Sequence, residues 1–259
     1  MIITKNLITI DKDQRLTDAI ELMEKRDISR LLVTENDRII GIITEEDIAK
    51  RLGTGRERML KTAHIHVSAA MSRDLRVISH DADMQEAARI MLNNGFSSLP
   101  VVKNGKIVGL VTKTDLIKNL KNSRRKVEEF YTRNPVLVNP NDSLVSARKL
   151  MLEHKIHRLL VTNKGLLAGI ITERDIASGL KTFRKALDKD KHPDIKGIRV
   201  EHVMTKGVIT VEPETTVGNV VGIMLKKRIS GIPVICQEFG ILTKTDLVRG
   251  IADGEFKKD

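Results

Sequence analysis

Four Thr/Asp pairs recur in this chain at one spacing, each after a glycine. They are Thr44 and Asp47 after Gly41, Thr112 and Asp115 after Gly109, Thr172 and Asp175 after Gly169, and Thr243 and Asp246 after Gly240. Two chemistries fit Thr-x-x-Asp. In a helix capping box the hydroxyl and the carboxylate satisfy the first backbone N–H groups and need no ligand. At an anion site, a strand end running into a helix start presents unpaired N–H groups and the positive end of the helix. There the threonine donates to a phosphate oxygen, and an ionised aspartate, which only accepts, takes both hydroxyls of a ribose. A recurring helix would also repeat its cap, so recurrence alone does not choose between them.

A second set of residues favours the ligand chemistry. Arg30 and Arg158 stand at equivalent positions before the strands Leu31-Leu32-Val33 and Leu159-Leu160-Val161, and His157 precedes Arg158. A planar guanidinium suits phosphate, and the imidazole adds a donor. The even copies carry Ser97-Ser98 and Ser230-Gly231 at that place, with Thr114 and Thr245 as extra hydroxyls inside the motif.

The elements that must position these groups follow from the period. The motif glycines are 68, 60 and 71 residues apart, so similar units are joined by unequal linkers. Met23, Met91, Met151 and Met224 mark the same register and read as core residues. In the first unit, Leu7–Ile10 reads as an extended entry and Leu16–Met23 as a helical face. Leu31–Val33 and Ile39–Ile43 read as strands around a turn, and a second helix follows Thr44. The order is strand, helix, strand, strand, helix. Lys103-Asn104-Gly105-Lys106 repeats the hairpin turn, and Cys236–Phe239 of the fourth unit, two residues short, is expected to be tighter. The odd units resemble each other, as do the even units, so a tandem pair has itself been duplicated. A unit of ~50 residues buries too little to be secure alone. Sheet-to-sheet packing of two units, and of two such pairs into a flat pseudo-symmetric disc, answers this. Units are expected at 1–55, 68–122, 128–181 and 200–252.

Composition bounds the rest. Net charge is +11 with pI near 9.7, which favours polyanionic partners. Aromatics are only 2%, too few for single-strand nucleic-acid stacking platforms. The basic runs Arg56–Lys61 and Lys121–Lys126 read as solvated linker. No run approaches a membrane helix and the N-terminus lacks a signal-peptide pattern. A single cysteine, Cys236, fits a reducing cytoplasm. There is no phosphate loop and no nucleophile–base pair, and His64 and His66 make poor metal evidence. A non-catalytic protein without a metal is expected.

The strand-helix-strand-strand-helix order, the Pro-Val strands at Pro100-Val101 and Pro233-Val234, and the four Gly-x-x-Thr-x-x-Asp copies resemble the CBS domain. Two such domains form a Bateman module, and the chain looks like two modules of an α/β (α+β) fold. Ile156-His157-Arg158-Leu159 with Gly169–Thr172 resembles a nucleotide site of the γ subunit of AMP-activated protein kinase, and compact archaeal four-domain proteins are similar. The resemblance implies ribose contacts from Asp47, Asp115, Asp175 and Asp246. It implies hydroxyl contacts from Thr44, Thr112, Thr172 and Thr243, with Thr114 and Thr245 added, and phosphate contacts from Arg30, His157 and Arg158. The implied ligand is AMP, ADP or ATP, with S-adenosylmethionine or another adenosyl compound as alternative. The implied role is regulation of a protein partner, with a homodimer or nucleic-acid binding also compatible.

Overall fold

The computed structural model describes residues 3–52, 65–179 and 197–256. The basic run Arg56–Lys61, His64 and much of both long linkers lie outside these residues. Repeat 1 contains β1 (Thr9–Asp11), α1 (Leu16–Arg26), β2 (Arg30–Glu35), β3 (Arg38–Thr44) and α2 (Glu45–Leu52). Repeat 2 contains β4 (Ile78–Ser79), α3 (Met84–Asn93), β5 (Ser98–Lys103), β6 (Lys106–Thr112) and α4 (Lys113–Ile117). Ahead of repeat 3 lies the short β7 (Thr132–Arg133), and the repeat itself contains β8 (Leu137–Val138), α5 (Leu144–Glu153), β9 (Arg158–Asn163), β10 (Leu166–Thr172) and α6 (173–179). Repeat 4 contains α7 (Val217–Lys227), β11 (Gly231–Ile235), β12 (Phe239–Thr243) and α8 (Lys244–Asp253). Repeats 1–3 follow the order read from the sequence, and repeat 4 lacks a named leading strand.

Each repeat is a β-α-β crossover closed by a hairpin. β1 runs parallel to β2, β4 to β5 and β8 to β9, and in repeat 4 a single Val211–Val234 bridge does the same. The helix between them lays its apolar stripe on the sheet, which buries Met23, Met91, Met151 and Met224 to 2% exposure or less. The methionines are core residues. Three hairpins turn on two residues with positive φ: Asn36-Asp37, Asn104-Gly105 and Lys164-Gly165. Asn, Asp and Gly tolerate that region, and its twist matches the strands.

Repeat 4 differs from the expected tighter hairpin. Ile235 pairs with Phe239 across a three-residue loop, so the loop is longer. The missing residues come from the strands. The other hairpins each carry a register shift just after the motif glycine's rung, and β11–β12 has none.

The described chain gathers into two compact units of alternate repeats. The even unit holds repeats 2 and 4, where α3 and α4 pack against α8 around a core that includes Met91, Leu116, Met224 and Leu247. The odd unit holds repeats 1 and 3 around Met23, Ile48, Met151 and Ile176. Within the even unit the two repeats therefore meet through helices rather than sheet to sheet.

Tandem neighbours are linked by exchange of lead-in segments. The chain entering each repeat lies against the motif strand of its neighbour. Thr4 brackets Leu110, Ser72 brackets Ile42, Thr205 brackets Ile170, and β7 lies beside β12. Each crossing covers a sheet edge that would otherwise stay unpaired. It also explains the motif glycine. A Cβ on Gly41 would stand 2.7 Å from Ser72 O, on Gly109 2.9 Å from Thr4 O, and on Gly169 2.5 Å from Thr205 O. On Gly240 it would strike the Tyr131 ring.

Two substitutions should move stability in opposite directions. Gly169→Ala forces the crossing segment away and is expected to cost about 1–3 kcal/mol, the range for overpacking. Gly222→Ala, inside α7 with nothing within 4 Å of its Cβ, should stabilise by up to about 1 kcal/mol through helix propensity. Urea midpoints of the two variants check both signs.

Candidate functional site

The hairpin register places the candidate ligand residues on one rung. Arg30 pairs with Thr44 and Arg158 with Thr172; Ser98 pairs with Thr112 and Gly231 with Thr243 in the even repeats. The backbone N–H after each threonine donates to the residue before that rung: Glu45 to Ser29, Lys113 to Ser97, Glu173 to His157 and Lys244 to Ser230, at 3.1–3.2 Å. Strand start and helix start are thus fastened together in all four copies.

The threonine and aspartate form the capping box in every repeat. One aspartate oxygen, Oδ2, accepts from the threonine N–H at 2.8–3.0 Å and from its hydroxyl at 2.6–2.7 Å. The aspartate N–H donates back to the threonine Oγ1 at 3.2–3.4 Å. The box leaves the second oxygen of each carboxylate outside it but commits the threonine hydroxyl hydrogen, so only the carboxylate half of the ligand chemistry is compatible with an intact box. What happens to the other oxygen separates the repeats.

In the even repeats Oδ1 is engaged. Lys118 Nζ donates to Asp115 Oδ1 at 2.8 Å. Arg249 and Thr132 both lie 3.3 Å from Asp246 Oδ1. Both carboxylates are buried, with Asp115 3% and Asp246 7% exposed. In repeat 3, Asp175 Oδ1 accepts no hydrogen bond among the described residues, and burial pushes the carboxyl up from its ordinary range against the Thr172 hydrogen bonds that lower it. A half-buried carboxylate with an oxygen to spare is what a ribose diol would use.

Other expected site residues stand elsewhere. Thr114 and Thr245 face lysines across the even unit: Lys244 Nζ is 2.8 Å from Thr114 Oγ1, and Lys113 Nζ 2.9 Å from Thr245 Oγ1. The His157 ring lies 3.0 Å from a Glu173 carboxylate oxygen and 3.9 Å from one of Glu46. The His157 ring therefore faces two carboxylates in the structure. In the odd unit Arg174 Nε donates to Glu45 Oε1 at 2.7 Å, and the guanidinium also lies 3.5 Å from Asp27. Burial raises the Glu45 carboxyl while Arg174 opposes the rise. A cavity of about 260 Å³ opens beside this pair over Ile20, Met23 and Ile48. None of the motif threonines or aspartates lines it.

Sequence reading did not find the Lys–Thr and Glu–Arg contacts. Their signal was present in the two residues between Thr and Asp: Lys-Thr in both even repeats, Glu-Glu and Glu-Arg in the odd ones. From the basic linker, Arg125 is committed to Glu129 at 2.7 Å and to Glu255, away from any anion. His66 lies 2.6 Å from the Asp13 carbonyl oxygen.

The CBS-domain profile matches residues 1–54, 67–122, 127–182 and 200–253. The chain belongs to the CBS-domain family. Among similar proteins, protein MJ1404 of Methanocaldococcus jannaschii is 28% identical over 97% of this chain, which spans 61% of that relative's length. Protein MJ1225 of the same organism is 24% identical over 96% of both chains. The crystal structure of MJ1225, described as a candidate archaeal homologue of the AMP-activated protein kinase γ subunit, superposes with a TM-score of 0.83 at 23% identity, covering 95% of this chain and 96% of that one. A conserved protein of Pyrococcus horikoshii gives 0.64 at 25% identity over 96% of this chain and 97% of that one. The MJ1225 likeness is one of fold: four CBS repeats in a mixed α/β chain. Among the described residues, no helix is long and apolar enough to cross a membrane.

Asp175→Asn separates capping from any ligand role. The amide oxygen can keep the cap, and the substitution removes a charge that burial disfavours. The sign follows from the raised folded-state pKa. Ionised Asp175 costs stability above that pKa, and the cost vanishes as pH falls below the ordinary carboxylate range. The melting temperature of Asp175→Asn at neutral pH should therefore equal or exceed that of the wild type, with any gap closing in acid. Asp175→Ala, which loses the box, should cost about 1 kcal/mol. Thermal melts across pH test both.

Proposed function

We propose that the chain is a non-catalytic regulatory protein whose odd CBS repeats bind an adenine nucleotide, with repeat 3 the principal site. One observation carries this reading. In repeat 3, Arg158 and Thr172 share a rung, while Asp175 spends one oxygen on the helix cap and keeps the other. Arg158 takes phosphate and Asp175 takes the ribose hydroxyls; the Thr172 hydroxyl, which donates to Asp175 Oδ2, has to turn out of the box to join the phosphate contact. In repeat 1, Arg30 and Thr44 share the equivalent rung and Asp47 closes the same capping box. A partner protein that prefers one conformation of the chain would register binding through a coupling free energy of about 1–3 kcal/mol.

The even repeats support a different preference. Ser98 and Gly231 replace the arginine, and Lys118 and Arg249 already neutralise the ribose carboxylates. A ligand there would have to displace those partners, and an adenosyl compound without a phosphate, such as S-adenosylmethionine, suits them better than AMP or ATP. Nucleic-acid binding is the weaker reading, since Arg125 of the basic linker is held by carboxylates.

Calorimetric titration with AMP, ATP and adenosine tests the assignment. Arg158→Ala should weaken AMP and ATP by about 10-fold or more, the value of a charge-assisted hydrogen bond, and adenosine far less. Equal losses for all three ligands would make Arg158 structural and remove the phosphate assignment.

A further inference from the structure

The residues between Thr and Asp of the motif meet reciprocally within each unit. The first residue after one threonine meets the second residue after the other. Lys113 meets Thr245 and Lys244 meets Thr114 in the even unit, and Glu45 meets Arg174 in the odd unit. Each of these contacts joins a cation to a group that accepts from it. The remaining contact of the set brings Glu173 to Glu46, two carboxylates. His157 is placed at this contact. The equivalent positions in repeats 1, 2 and 4 are Ser29, Ser97 and Ser230, so the imidazole appears at the one contact where carboxylates face each other.

We propose that Glu46, His157 and Glu173 form a divalent transition-metal site of the Zn²⁺ class that joins repeat 1 to repeat 3. One ligand atom from each residue lies within 4.8 Å of the other two. The His157 Nδ1 to carboxylate distances of 3.0 and 3.9 Å bracket the spacing of about 3.4 Å between two ligands of a tetrahedral zinc ion. Small rotations of exposed side chains would equalise them. The three side chains are 43%, 32% and 20% exposed in the order His157, Glu46, Glu173, which leaves a route for the ion and room for water as fourth ligand. The His157 backbone is already fixed, because its carbonyl accepts the Glu173 N–H at 3.2 Å.

The donor set selects the metal. One imidazole nitrogen with two carboxylates suits Zn²⁺ or Co²⁺, whereas Mg²⁺ prefers all-oxygen, octahedral surroundings. A bound dication would also convert the carboxylate–carboxylate contact from repulsive to attractive. The site thus acts as a clasp between two repeats, separate from the nucleotide residues, since neither glutamate belongs to the Arg-Thr-Asp set.

The test is titration of chelator-stripped full-length protein with Zn²⁺ and, separately, Mg²⁺. The expected result is saturable Zn²⁺ uptake with a rise in melting temperature, and no comparable response to Mg²⁺. Glu46→Gln, Glu173→Gln and His157→Asn should each weaken Zn²⁺ by about 10–100-fold or more. All three should melt normally in chelator, and His202→Asn, an exposed histidine elsewhere, should titrate as wild type. AMP titration of Glu46→Gln and Glu173→Gln reports on the nucleotide site independently of the metal. Three results overturn the proposal: no saturable Zn²⁺ binding, Zn²⁺ binding that survives all three substitutions, or Mg²⁺ binding equal to Zn²⁺.

Discussion

Every repeat depends on the hydrogen bonds between a strand-end threonine and the aspartate three residues later. The aspartate Oδ2 accepts from both the N–H and the hydroxyl of the threonine, and its own N–H returns a bond. This box starts the second helix, ends the hairpin strand, and fixes the orientation of the carboxylate. The other oxygen then has a defined direction. If the box were absent, the arginine or serine on the facing rung would still be in register, but no acceptor would be held beside it. Cap and candidate ligand site share one set of atoms, so conserving the geometry of one preserves the other.

The four boxes are alike, and the differences between repeats lie around them. Cations satisfy the spare oxygen in repeats 2 and 4, and burial without a further hydrogen bond leaves Asp175 as the most available acceptor. The compact units sort the repeats the same way, odd with odd and even with even. Lys–Thr contacts join the repeats of one unit and the Glu45–Arg174 pair those of the other; pairing repeat 3 with an even repeat would instead set lysine against Arg174.

Much of the fold was legible because its signals are local. Strand-helix-strand-strand-helix follows from periodicity, and the two-residue turns follow from Asn, Asp and Gly at positive φ. The methionine register marks the core, and Thr-x-x-Asp marks the cap. What stayed hidden depends on contacts between distant segments. The motif glycine marks the period in the sequence without showing its reason, which is a lead-in segment crossing within 2.5–2.9 Å of where a Cβ would stand at Gly41, Gly109 and Gly169. His157 beside Arg158 reads as a phosphate donor, and the sequence does not show that the helix starts of repeats 1 and 3 bring Glu46 and Glu173 to its ring. The serine in place of arginine already set Asp115 apart from Asp175 in the sequence, but the contact of Lys118 with Asp115 Oδ1 was hidden. Even the shortened fourth hairpin misleads, since the count of residues does not say whether the loop or a strand bulge was lost.

The central claim is that an arginine on the threonine rung takes phosphate while the capped aspartate takes ribose, so that the odd repeats, and repeat 3 above all, are the nucleotide sites. Equilibrium dialysis of AMP against two double variants tests it most directly. Asp47→Asn with Asp175→Asn should abolish or strongly weaken AMP binding while the fold melts as wild type. Asp115→Asn with Asp246→Asn should retain it. The reverse pattern, or equal retention in both, would contradict the account.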